Sequence, residues 1–144
     1  MNDVDTQCPI ANPMNNKTMD KKIIYSPAAP EPIGPYSQAV QTGNLLFISG
    51  QIAIDRATGD FVNANIKDEA AQVMKNIEAI LKAAGLTFDN IVKSTIFLKS
   101  MGDFPQVNEV YGSYFKASPP ARETVEVSKL PKDANVEISC IAVK

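Results

Sequence analysis

One amphipathic helix set among short strand-like runs restricts this chain more than any other feature. Ile66, Ala70, Val73, Ile77, Ile80, Leu81 and Ala84 recur at helical spacing, with Lys67, Glu69, Gln72, Asn76 and Lys82 on the other side. Asn65 is placed to cap the start, and Gly85 to end the helix in a left-handed turn. A helix with one apolar stripe needs an apolar surface to lie on, and the flanking runs supply it. Residues 22–25 read as a short strand that Pro27 and Pro30 end. Residues 39–41 and 45–49 flank Thr42-Gly43-Asn44 as a hairpin, and Ile52-Ala53-Ile54 extends its second arm to a turn at residues 55–59. Residues 90–99 alternate Val92, Ser94, Ile96 and Leu98 with Lys93, Thr95, Phe97 and Lys99.

A second helix is predicted over residues 104–115, with Asp103 as its cap and Pro105 in its first turn. Phe104, Val107, Tyr111 and Tyr114 form its stripe, and Pro119-Pro120 blocks continuation. Strands at 122–127 and 135–143 close the chain, joined through a connection containing Pro131. This order predicts a two-layer α+β fold with both helices on one face of the sheet. Ile96, Leu98, Ile141 and Val143 are then expected on the other face, buried against further copies of the chain.

The 144 residues suit one domain at 21–144, preceded by a polar, Asn-rich tail at 1–20 in which Met19 is a plausible internal start. Composition narrows the chemistry. There is no histidine, and the only cysteines are Cys8 and Cys140. That removes Ser-His-Asp and Cys-His systems, His-bearing metal sites and tetrathiolate zinc. No metal or cofactor is expected, and chemistry falls to carboxylates, Arg, Lys, Tyr, hydroxyls and backbone amides. Fourteen Lys and Arg against sixteen Asp and Glu give a charge of −2, with Lys21-Lys22 the longest basic run. A nucleic-acid partner would call for a basic excess or stripe. No apolar run approaches the roughly 20 residues of a membrane span, and the first residues are acidic where a secretory signal is basic. The expected setting is a reducing cytoplasm, in which Asn16-Lys17-Thr18 is a chance sequon.

Three stretches carry a specific pattern: Ile33-Gly34-Pro35-Tyr36-Ser37-Gln38-Ala39, Phe47-Ile48-Ser49-Gly50-Gln51-Ile52, and residues 119–127 around Arg122-Glu123-Thr124. With Val107-Asn108-Glu109-Val110-Tyr111 and the terminal residues 136–143, they resemble the RidA (YjgF/UK114) family from about Lys22 to Lys144. The resemblance implies a chorismate-mutase-like mixed sheet assembled as a homotrimer, with sites between subunits. It also implies hydrolysis of 2-imino (enamine) acids, such as 2-iminobutanoate and 2-iminopropanoate, to 2-keto acids and ammonia.

Residue chemistry is compatible with this. Arg122 occupies the family's carboxylate-binding position, and a guanidinium suits bidentate carboxylate recognition; an ordinary surface arginine is the plain alternative. Glu137 matches the glutamate credited with activating water. Its strand face, shared with Ser139, Ile141 and Val143, would disfavour the charged form; a sheet-edge glutamate paired with lysine competes. Tyr36, Ser49, Gly50, Asn108 and Thr124 match ligand-contacting positions, against half-buried packing for Tyr36, a β-bulge for Gly50 and a solvent-facing amide for Asn108. Many relatives carry cysteine where Thr124 stands, so thiol-dependent regulation is in doubt here. Cys140 reads as a small core residue. Were the last two strands a hairpin, Glu137 would face Val125 or Glu126, several residues from Arg122. Two other classes stay open: a non-catalytic module binding small carboxylates, and an RNA-acting protein.

Overall fold

A computed structural model describes residues 20–144; the tail before Asp20, with Cys8, Asn16 and Met19, lies outside the described residues. The elements are β1 (Lys21–Ile24), β2 (Ala39–Thr42), β3 (Leu45–Gln51), α1 (Ile66–Ala83), β4 (Ile91–Leu98), α2 (Phe104–Gly112), β5 (Ala121–Glu126) and β6 (Val136–Val143). They form one six-stranded sheet in the order β1-β2-β3-β6-β4-β5. Neighbours pair antiparallel except β4 and β5, which run parallel. A parallel pair needs a crossover connection, and α2 provides it. The last two strands are therefore not a hairpin. β6 inserts between β3 and β4 instead, setting Glu137 opposite Phe97 and leaving β5 at the sheet edge.

Both helices cover one face of this mixed sheet, as expected. α1 buries Ala70, Val73, Met74, Ile77, Ile80 and Leu81 against Leu46, Ile48, Ile138 and Cys140. Burying each large aliphatic side chain contributes about 1.5–3 kcal/mol. Asn65 Oδ1 accepts from the Asp68 N–H at 2.9 Å, and Gly85 adopts φ 73°, which only glycine takes without strain. Two residues expected on the solvent side of α1 are not there: Glu69 and Asn76 are fully buried. The helix is sunk deeply enough that its flank meets loops, and both side chains bond to them.

Other departures have local causes. Asp103 makes no capping bond, because its backbone already turns helically (φ −83°, ψ −10°) at the end of a 3-10 turn, Met101–Asp103. α2 stops at Gly112, and residues to Phe115 continue only as turns. Residues 52–54 do not extend β3; Ile54 makes an isolated bridge to Phe61. Ile96 and Leu98 lie beneath the helices, both fully buried. A register shift between Ile91 and Lys93 leaves Val92 exposed. The uncovered face carries Ile141 and Val143, as expected, together with Phe47, Phe97 and Val125, of which Phe47 and Val125 are each 42% exposed.

Candidate active site

A cleft of about 380 Å³ opens beside the junction of β3 and β6, and Tyr36, Ser49, Gly50 and Glu137 all line it. Its position follows from a bulge. Between Ile48 and Gln51 the ladder gains one residue on β3 relative to β6, so Ser49 and Gly50 turn away from regular pairing. The Glu137 side chain crosses this gap. A Cβ on Gly50 would overlap Glu137 Oε1 and lie 2.8 Å from its Cδ. Gly50 has no positive φ, so space rather than backbone freedom requires glycine here.

Glu137 is half-buried and makes no hydrogen bond among the described residues. Burial raises its carboxyl above the ordinary value of 4.5, as expected for a charge losing water without gaining a partner. Ser49 Oγ donates to the Ser37 carbonyl at 2.6 Å, which leaves its lone pairs as acceptors. The Tyr36 hydroxyl accepts from the Ile33 N–H at 3.3 Å, keeping its own proton to donate. Pro30, Ile33, Ile52 and Ile54 make most of the remaining wall apolar.

Buried polar side chains hold this cleft in shape. Gln38 accepts from the Ser26 N–H at 2.6 Å and donates to the carbonyls of Ser26, Ala29 and Pro30, fixing one wall. Asn76 donates to the carbonyls of Ile52 and Ile54, both at 3.0 Å, fixing the other. Glu69 accepts from the backbone and side-chain amides of Asn135 at 2.7 and 2.8 Å, two residues before Glu137. At the rim, Glu31 Oε1 accepts from Tyr25 and Arg56, at 2.5 and 2.8 Å. Pattern reading passes over Gln38, Glu69 and Asn76. Spacing assigns Glu69 and Asn76 to the polar side of α1, and Gln38 lies in the loop before β2, so no periodic signal marks the three as buried.

Arg122 and Asn108 meet elsewhere, in a shallower cleft of about 450 Å³ between α2 and β5 that Tyr111, Pro119 and Pro120 also line. Arg122 Nη1 donates to Asn108 Oδ1 at 2.7 Å, so the α2 asparagine, exposed as the plain alternative had it, has its amide oxygen engaged by an equally exposed guanidinium. The guanidinium carbon sits 5.1 Å from the Tyr111 ring centroid and 5.5 Å from that of Phe104. Arg122 therefore projects from the helix-covered side of β5, whereas Glu137 projects from the open face. Among the described residues, the cleft lined by Glu137 is not lined by Arg122, nor the cleft lined by Arg122 by Glu137. Thr124 faces neither ligand cleft openly; its hydroxyl is buried without a hydrogen-bond partner among the described residues. Cys140 packs in the core beneath the sheet, where burial pushes its thiol up to about 11.

Residues 26–144 match the family model described as endoribonuclease L-PSP. The RutC family protein of Pyrococcus horikoshii is 55% identical over 86% of this chain and 98% of its own length. A 2-iminobutanoate/2-iminopropanoate deaminase of Mus musculus is 48% identical over 86% of this chain and 92% of its own. The crystal structure of E. coli TdcF with bound serine superposes with a TM-score of 0.82 at 43% identity, covering 85% of this chain and 98% of that one. With sequence and fold matched over nearly the whole described chain, this protein belongs to the endoribonuclease L-PSP family, the RidA/YjgF family.

Proposed function

We propose that this protein is a cytoplasmic, cofactor-free deaminase that hydrolyses 2-imino acids to 2-keto acids and ammonia, working as a homotrimer. The observation that carries the reading is Glu137, a half-buried carboxylate without a partner, held over Gly50 in a cleft that also offers an acceptor and a donor. A 2-imino acid presents a carboxylate, a C=N bond and a small side chain. Arg122 binds the carboxylate through paired N–H donors. Ser49 Oγ accepts from the imine nitrogen, and Tyr36 donates to the carboxylate edge. Glu137 takes a proton from water as its oxygen bonds to C2. The nitrogen then receives that proton from Glu137 and a second one from the C2 hydroxyl, and leaves as ammonia as the C2–N bond breaks and the carbonyl forms, so atoms balance with no covalent enzyme intermediate. Thr124 accordingly needs no thiol to replace it.

Arg122 and Glu137 belong to different faces of one protomer, so the site requires two copies, with Arg122 of one closing the cleft of the next. The exposed apolar residues on the open sheet face favour such self-association. RNA cleavage fits this site less well. The cleft is walled by apolar residues and carries Glu31 and Glu137, whereas RNA binding relies on basic surface. The test is ammonia release from 2-iminobutanoate generated in situ by a dehydratase. Acceleration by added protein is the expected result; release at the spontaneous rate would overturn the assignment.

A further inference from the structure

We propose that Asn108 is a positioning residue whose neutrality matters: it orients the Arg122 guanidinium without cancelling the charge that a ligand carboxylate must meet. The inference rests on the proposed role of Arg122 as carboxylate clamp. The chain has two arginines, Arg56 and Arg122. Arg56 is neutralised by Glu31 at 2.8 Å and also donates to the Pro27 carbonyl, a structural arrangement. Arg122 has no carboxylate partner among the described residues, although carboxylates surround it in sequence.

Each of those carboxylates is engaged elsewhere. Glu109, beside Asn108 on α2, pairs with Lys67 at 2.8 Å. Glu123, beside Arg122 on β5, pairs with Lys93 at 2.5 Å on the opposite sheet face and accepts from Thr95. Glu126 accepts from the Met101 N–H at 2.7 Å. What holds Arg122 is therefore wholly uncharged: one amide oxygen and two aromatic faces. Aspartate is nearly isosteric with asparagine and would bond the guanidinium more strongly. At a mid-helix position asparagine and aspartate cost about the same in helix propensity, so that term does not choose between them. Folding alone thus gives no reason for a neutral amide, but anion binding does. Asn108 takes one of the five N–H donors and fixes the plane of the rest toward the cleft.

Calorimetric titration of the full chain with 2-oxobutanoate tests this, run on wild type, Asn108→Asp and Arg122→Ala with melting temperatures measured in parallel. Asn108→Asp should melt at or above wild type yet bind 2-oxobutanoate at least about tenfold more weakly, because like charges now face each other. In turnover it should raise KM with kcat little changed, since the carboxylate is held alike in ground and transition states. A purely structural role would not produce that split. Wild-type affinity in Asn108→Asp with affinity lost in Arg122→Ala would overturn the inference and leave the clamp standing. Wild-type affinity in both variants would overturn the clamp and the inference together.

Discussion

Glu137 joins two properties that ordinarily conflict, burial and charge, and its burial sets the direction of both its titration and its effect on stability. Its carboxyl titrates above the ordinary value. Between the unfolded and the raised native value the folded chain holds more protons, so stability falls as pH rises through that window. Above it the native state bears the cost of an unpartnered charge. Glu137→Gln should therefore melt at or above the wild-type temperature at pH 7, while its turnover drops about 10²–10⁴-fold through loss of the base. In the wild type, kcat/KM should climb with pH across an acid limb placed above 4.5. That limb should vanish in the variant. A melting temperature well below wild type, or near-normal turnover, would move Glu137 from base to scaffold.

At the scale of elements, the side chains that shape the cleft sit on the helix flank and at strand starts. Glu69 ties α1 to Asn135, the residue just before β6, and its removal leaves the Asn135 amide groups unsatisfied. Glu69→Ala should cost about 2–4 kcal/mol, since hydrogen bonds to a charged acceptor are each worth roughly 1.5–3 kcal/mol. Differential scanning calorimetry should register a fall of roughly 5–10 °C. The elements themselves were largely legible: the α1 stripe, its Asn65 cap and its Gly85 stop follow from spacing and turn chemistry. Sheet order was not, because β6 enters between β3 and β4 through pairing that local pattern does not encode. The helix between β4 and β5 did contain the clue, since a crossover helix favours a parallel pair over a hairpin. The residues of the proposed site, Arg122, Glu137, Tyr36, Ser49, Gly50 and Asn108, are named from their motifs. The division into two clefts could not, because it depends on which sheet face each strand presents.

At the scale of the whole molecule, one protomer exposes apolar side chains on its open sheet face and holds Arg122 and Glu137 apart, and the proposed self-association would answer both facts. Phe47, 42% exposed in the middle of that face, is the side chain whose charge replacement should oppose assembly most. Phe47→Asp should give a folded monomer by light scattering, with wild-type helix content by circular dichroism and deaminase activity lost. A fully active monomer would contradict a shared site. The most direct measurement of sharing is complementation. Arg122→Ala and Glu137→Gln chains, each inactive alone, are unfolded together in equal amounts and refolded. If each site takes Arg122 from one subunit and Glu137 from the next, a mixed trimer contains one intact site, and random assembly restores about a quarter of wild-type activity. Activity no higher than that of either parent, in trimers shown by mass spectrometry to be mixed, would contradict the intersubunit site.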